Sequence, residues 1–352
     1  MQIKTKDFIE LLYPLEVSLP TRDINPVLSC IRFSQGQAEA YNGVIYCCIK
    51  NKNIDFEAMI DAKLLFTMLQ ALKGKKLNIQ AKQNNVIIKS GKFIGTLAII
   101  DNRQGIDLSL ISKKVNYKKL YLPPKELLDL FSSIINESTV SLIYYKGINV
   151  YGKTGFCTDG YTLIKYSGKY THDKLFIPIE VIRILEHCKE KIISVEVGEY
   201  NFKISLGGTE YYIGIKPDVD LEENLEKKYK ELSKIVPKNL VAKFEVNKKL
   251  FRVLDRINIV SKLSLENSCK LSFDSNRLTL FAAHSTAFVE ESIPTIGKGK
   301  FSVLVRMDSL LQMIKFAGEN QKIYLSTNVP KPGNAILHFE KKNIVYYINS
   351  NL

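Results

Sequence analysis

Apolar and polar positions follow two periods along this chain, and the order of those periods recurs. "MQIKTKDFIELLYPL", "LYLPPKELLDLFSSII" and "AKFEVNKKLFRVLDRINIV" each read as a short strand followed by apolar residues at helical spacing. Phe8-Ile9, Leu127-Leu128 and Leu250-Phe251 fall at matching places, 119 and 123 residues apart. A second set is "AMIDAKLLFTMLQAL", "LFIPIEVIRILEHC" and "VLVRMDSLLQMIKFA". Its matching residues Ile60, Ile177 and Val305 end apolar strands, and Asp61, Pro178 and Met307-Asp308 start helices. The alternating strands "KLNIQ", "ISVEV" and "KIYLS" come next.

Most of the remainder alternates with period two. Hairpins are predicted to turn at Ser90-Gly91, at Gly207-Gly208 and near Asp274-Ser275-Asn276. The pattern therefore predicts an α+β fold of three repeats, 1–117, 118–239 and 240–352, each with two helices packed on antiparallel sheet. The charged stretch Lys216–Asn239 alternates in sign and reads as an exposed excursion or helix closing the second repeat.

Charge adds a partner class. The net charge is +14, and the three repeats carry +6 (16 basic, 10 acidic), +1 (18 and 17) and +7 (16 and 9). An excess of this size favours a polyanion, and nucleic acid is the commonest in cytoplasm. No apolar run approaches the ~20 residues that cross a bilayer, and "MQIKTKDFIELL" lacks the apolar core of a signal peptide, so a cytoplasmic location without membrane partners is expected. Six scattered cysteines form no C-x-x-C pair, which suits reduced, buried thiols and no metal.

One motif suggests an enzyme. Gly147–Thr154 fits G-x-x-x-x-G-K-[ST], the loop that cradles phosphates in nucleotide hydrolases. Its interior, Ile148-Asn149-Val150-Tyr151, is strand-forming, and two glycines in the next six residues oppose the helix that a phosphate loop needs. The stretch reads better as strand, tight turn at Gly152–Gly155, and strand. The four histidines are isolated, and Asp159 before Gly160 suits a turn. No catalytic residue and no cofactor is expected.

"CTDGYTLIKY" resembles the A-T-D-G-H-R-L-A segment of the bacterial DNA polymerase sliding clamp, the polymerase III beta subunit family. Thr158, Asp159, Gly160 and Leu163 match, while Tyr161 and Thr162 replace the usual His-Arg. "IPIEVIRIL" is similar to the family's V-P-R-K-x-x-x-E-L, and "VPKN" to its L-P-K-N. The resemblance spans the chain and is most specific in the middle third. It implies a non-catalytic processivity factor: two chains closed head to tail into a ring that encircles double-stranded DNA, tethers the replicative polymerase and is opened by an ATP-driven clamp loader. The chain departs from the family in ending "IVYYINSNL" without the Met-Pro tail, and in its positive charge. A divergent or phage-encoded member would show both departures. The alternatives are a monomeric basic nucleic-acid binder with a clamp-like fold and a nucleotide hydrolase using Gly147–Thr154.

The resemblance assigns roles. DNA-facing positions are Lys4, Lys6, Lys63, Lys73, Lys75, Lys125, Arg183, Lys189, Lys248, Lys249, Arg252, Arg256, Arg306 and Lys315. The strongest stripe is Lys249/Arg252/Arg256, at helical spacing opposite Leu250, Leu254 and Ile257. A cleft for partner peptides is implied at Tyr145, Thr158, Gly160, Tyr161, Leu163, Pro237, Tyr346, Ile348 and Leu352. The homodimer joint would set Leu64 and Met68 against Ile259 and Val260 of a second copy. Surplus apolar residues around "DAKLLFTMLQAL" support a second buried contact there.

Overall fold

The structure is a computed structural model of the whole chain. It describes residues 1–20, 25–72, 76–100, 115–121, 123, 125–137, 146–168, 174–188, 194–199, 201–214, 226–227, 229–232, 235, 237, 239–264, 266–274, 276–327 and 334–351.

One string of elements occurs three times: strand, helix, four strands, helix, three strands. The first copy is β1 (Gln2–Lys4), α1 (Thr5–Leu12), β2 (Cys30–Ser34), β3 (Gln37–Tyr41), β4 (Ile45–Lys50), β5 (Ala58–Asp61), α2 (Ala62–Ala71), β6 (Lys76–Lys82), β7 (Asn85–Ser90) and β8 (Phe93–Ala98). The second is β9 (Lys118–Lys119), α3 (Lys125–Glu137), β10 (Gly147–Tyr151), β11 (Thr154–Thr158), β12 (Thr162–Ser167), β13 (Lys174–Pro178), α4 (Ile179–His187), β14 (Ser194–Val197), β15 (Asn201–Leu206) and β16 (Thr209–Gly214). The third is β17 (Asn239–Glu245), α5 (Lys248–Ser261), β18 (Ser268–Asp274), β19 (Arg277–His284), β20 (Ala287–Pro294), the added two-residue β21 (Gly297–Lys298), β22 (Phe301–Arg306), α6 (Met307–Ala317), β23 (Lys322–Thr327), β24 (Asn334–Lys341) and β25 (Ile344–Asn351).

Strand pairing repeats as well. Half-sheets β5-β2-β3-β4, β13-β10-β11-β12 and β22-β18-β19-β20 have one order. Half-sheets β1-β6-β7-β8, β9-β14-β15-β16 and β17-β23-β24-β25 have the other. All these ladders are antiparallel, and β4 joins β16 while β12 joins β25. The chain divides into two compact units, Met1–Leu122 with Glu180–Pro217, and Pro123–Ile179 with Asp218–Leu352.

Local chemistry explains the elements. Asn247 caps α5, its Oδ1 accepting from Leu250 N at 3.1 Å, and Asp61 caps α2 in the same way at 2.7 Å. Leu250, Val253, Leu254 and Ile257 bury one side of α5, each worth about 1.5–3 kcal/mol of apolar transfer. Helix α2 buries Ala62, Leu65 and Leu69. Its apolar surplus splits two ways. Met68 lies against β8, where a Cβ on Gly95 would come within 2.6 Å of its sulfur, whereas Leu64 remains 58% exposed.

Gly147–Thr154 is a hairpin. Tyr151 pairs with Thr154 across a two-residue turn, and Gly152 has φ +58°. Gly147 packs so closely on β13 that a Cβ would lie 2.3 Å from Ile177 O. Thr154 opens a strand, so no helix N-terminus follows to hold phosphates.

The described part of the stretch 216–239 is helical in part, as one of its two expectations had it, but it is docked by an apolar side. Residues 215–225 lie outside the described residues. Residues 226–227 and 229–232 are helical, and Leu232 is buried, with Tyr229 and Ile235 partly so. Alternating charge signalled an exposed segment; three apolar residues at three-residue spacing dock it instead.

Candidate nucleic-acid and partner interfaces

Basic residues collect on helix surfaces and in one cleft. On α5 the exposed side carries Lys248, Lys249, Arg252, Asp255, Arg256 and Ile259. Lys249 and Arg252 have no acidic partner among the described residues. Arg256 is engaged by two 2.5 Å bonds to the Glu291 carboxylate on β20, which raise its pKa and lower that of Glu291. The stripe expected at 249/252/256 therefore presents two uncompensated charges and one paired one. Lys248 stands 4.0 Å from Glu319.

In the first unit Lys4 joins Lys76 and Lys89 around an open cleft of about 880 Å³, with Asp7, Asn51, Asn53 and Asn78 on its walls. Lys89 was missed by sequence reasoning because a lone lysine on a strand leaves no periodic trace. Lys6 pairs with Glu10 at 3.7 Å. Lys63, Lys125, Arg183 and Lys315 are exposed on α2, α3, α4 and α6. Lys73, Lys75 and Lys189 lie outside the described residues.

Arg306, expected to face DNA, is only partly exposed and is engaged by side chains of β11–β12 and the turn between them. Its Nη1 sits 3.4 Å from Asp159 Oδ2 and its guanidinium lies over the Tyr161 ring at 5.6 Å. Asp159 is buried, and its Oδ1 accepts from the amides of Tyr161 (2.9 Å) and Thr162 (2.6 Å). It shapes the β11–β12 turn, as a lone Asp before Gly should. Gly160 and Tyr161 are thereby held outward, and both are exposed.

Around this turn Thr158 and Leu163 are buried and Pro237 is partly exposed. Tyr346 and Ile348 do not fit the cleft expected of them. Both are fully buried on the helix side of β25, where Tyr346 stacks on Phe339 and its hydroxyl donates to Ser309 O on α6 at 3.4 Å. Thr162 faces the same way, 2.8 Å from Ser309 Oγ. The residue on the Leu163 face is Tyr347, which clusters with Phe156, Leu163, Leu232 and Ile336. Both parities of "VYYIN" are apolar, so alternation could not reveal which face each tyrosine takes. Tyr145 and Leu352 lie outside the described residues.

Sequence reasoning also missed Lys165. Its Nζ donates to Leu232 O (2.8 Å) and Ile235 O (3.3 Å) and lies 5.2 Å from the Tyr347 ring centre. Burial pushes this ammonium down to about 8.

At the expected joint, Ile259 is 68% exposed on α5 and Val260 is partly exposed. The cysteines Cys47, Cys157 and Cys269 are buried with thiols pushed up by desolvation, Cys269 to about 12. Among the described residues no three His, Cys, Asp or Glu side chains gather to hold a metal, and no helix is long and apolar enough to cross a membrane.

No family model matches the chain, and no curated protein matches it by sequence. Solved structures match it end to end. The Helicobacter pylori beta clamp bound to a DNA ligase peptide superposes with a TM-score of 0.74 at 17% identity, covering 100% of this chain and 99% of that one. The beta subunit from DNA polymerase of Streptococcus pyogenes gives 0.75 at 17%, covering 99% and 98%. The DNA polymerase III beta subunit of Thermotoga maritima gives 0.74 at 12%, covering 100% and 98%. The chain has the sliding clamp fold, as its resemblance to that family implied.

Proposed function

We propose that this chain is a DNA sliding clamp: a non-enzymatic processivity factor, built of domains 1–117, 118–239 and 240–352, that closes head to tail with a second copy around double-stranded DNA. The observation that carries this reading is an incomplete set of strand joints. The fourth strand of a repeat pairs with the eighth of the next at β4–β16 and at β12–β25. The corresponding strands left over are β20 and β8. Among the described residues each pairs on one side only, β20 with β19 and β8 with β7. An open strand edge is a template for another chain, and a third joint made twice between two copies would satisfy both edges with closed symmetry.

Side chains support the same joint. Ile94 on β8 is 65% exposed and Phe288 on β20 is 76% exposed. Leu64 on α2 and Ile259 on α5 are the exposed apolar helix residues that such pairing brings face to face. Lys249 and Arg252, with the Lys4/Lys76/Lys89 cleft, would contact phosphates without reading bases, which is what sliding requires. The Tyr161–Leu163 region would receive partner peptides such as that of a replicative polymerase. A closed ring would need an ATP-driven clamp loader to open it, and the clamp would work on DNA in the cytoplasm.

The test is retention on circular duplex DNA. The protein, loaded on a nicked circle, should stay bound and should be lost when the circle is cut once. Retention that survives linearisation removes the encircling reading. Particle mass then separates the dimer from a monomeric basic binder: Leu64→Lys should give half-size particles with unchanged circular dichroism.

A further inference from the structure

The face of β11–β12–β25–β24 away from the helices is apolar, and the chain covers it with a segment of its own. Phe156, Leu163, Ile336 and Tyr347 form the patch, with Tyr151 and Val345 at its margin. Tyr229, Leu232 and Ile235 lie on it, one residue every three.

Described residues of the segment are attached at its start, its middle and its far end. Glu226 bonds Lys174 of β13 at 2.8 Å, and Lys174 with Lys230 holds the Glu226 carboxyl down at about 2. Tyr229 stacks on Tyr151 with ring centres 4.3 Å apart and tilts against Phe156 at 5.9 Å. Lys165 closes the far end by donating to the carbonyls of Leu232 and Ile235. Leu232 is the segment's last described helical residue, and a cation is favoured near carbonyls at a helix C-terminus.

The attachments named above each use a side chain on at least one side. None of its described residues enters a strand ladder, and its described backbone bond, Ile235 N to Leu232 O at 3.2 Å, is internal. Lys165 keeps a charged amine among aromatic and aliphatic groups, a cost that opening would relieve. Elements with few buried apolar contacts open below the global unfolding free energy.

We propose that the segment bearing residues 226–227, 229–232 and 235 is a removable strap, and that the face beneath it docks a helical segment of a partner protein built like the strap. That partner segment carries an acidic residue in its first turn, then an aromatic and two aliphatic residues at three-residue intervals, ending over Lys165. Lys174 receives the acid, Tyr151 and Phe156 the aromatic ring, Leu163, Ile336 and Tyr347 the aliphatic side chains, and Lys165 the last carbonyls. The proposal rests on the reading of the Leu163 region as the partner cleft and adds that the cleft is closed until the strap leaves.

Hydrogen exchange of the full-length protein tests the opening. In the wild type, amides of Tyr229–Leu232 should exchange faster than those of β12 and β25. Lys165→Met, which keeps the stem and deletes the clasp, should speed strap exchange by about tenfold, the equivalent of one charged hydrogen bond, with the strands unchanged. Docking is tested with a synthetic peptide of residues 226–237. It should bind the opened variant Leu232→Asp at least about tenfold more tightly than the wild type, since the intact strap competes. Leu163→Asp added to that variant should abolish binding.

Strap amides that exchange only together with β12 and β25 overturn the removable strap. A peptide that fails to bind a folded Leu232→Asp overturns the docking face; should that variant not fold, Tyr229→Ala, which loosens the strap and leaves the face beneath it intact, serves in its place for the same binding test. DNA retention is a separate readout: loss of circular-DNA retention with peptide binding intact defeats the clamp and leaves the strap standing.

Discussion

The two completed joints, β4–β16 and β12–β25, are made by the same strands of successive repeats, yet their helix-free faces are opposite in character. Beside β4–β16 the face is polar. Arg32 pairs with Glu39, which is buried and also accepts from Tyr46 (2.7 Å) and Gln37 (3.1 Å). Glu210 takes Lys203 at 2.8 Å and Lys50 at 3.1 Å, and Tyr212 donates to it at 3.3 Å. Beside β12–β25 the positions of Glu39, Tyr46 and Tyr212 are taken by Phe156, Leu163 and Tyr347, and Ile336 packs with them. Charges and hydroxyls that satisfy one another carry little desolvation cost, so the first face is finished by its own side chains. The second is mainly apolar, with Lys165 turned to the strap's carbonyls, and takes a strap. Strand pairing thus sets the joint, and side chains on the free face set whether it is a finished surface or a closed site.

Four substitutions would break or sharpen this contrast. The largest effect is expected from Leu163→Asp, which buries an unpaired carboxylate in the apolar patch. Urea denaturation should lose about 4 kcal/mol, with early unfolding of the second unit. Glu39→Ala on the polar face should cost about 3 kcal/mol by stranding Arg32 and the Tyr46 hydroxyl, whereas Arg32→Met with Glu39→Leu should recover much of that loss. If the single and double variants unfold alike, the network is not what finishes that face.

The third concerns pH. His338 is buried beside Tyr324 and Tyr347 with Ser326 Oγ 3.0 Å from its Nε2, and burial pushes its imidazole down to about 4 from 6.5. Between those values the unfolded chain binds a proton that the folded chain refuses. Stability from this group is full above pH 6.5, falls as pH is lowered toward 4, and changes no further below. His338→Gln, which cannot titrate, should flatten melting temperature against pH in that window. Smallest is Tyr212→Phe, which deletes one bond from the polar network and should cost no more than about 1 kcal/mol in the same denaturation experiment.

How far the sequence could be read depended on whether a signal was local. Helices α1 to α6 and the turn at Gly207-Gly208 were legible because periodicity, caps and glycines act within a few residues. The strand character of Ile148-Asn149-Val150-Tyr151 was enough to reject the phosphate loop. The candidate cleft was legible only in part: Asp159 and the turn it builds stood out, but Tyr346 and Tyr347 could not be told apart where both sides of a strand are buried. Arg256 looked like one more cation on an exposed stripe because its partner, Glu291, lies on another element. Lys165 gave no warning, since its partners are carbonyls of a segment some seventy residues away.

By itself the sequence determined the threefold order of strands and helices, because hydrophobic period and turn chemistry are properties of short stretches. Only the tertiary structure decided which cations are spent on internal carboxylates, which tyrosine faces which side of β25, and which strand edges are left without a neighbour. Those outcomes depend on what distant segments bring to a shared surface, and a burial pattern read along one strand carries no record of what will lie across from it.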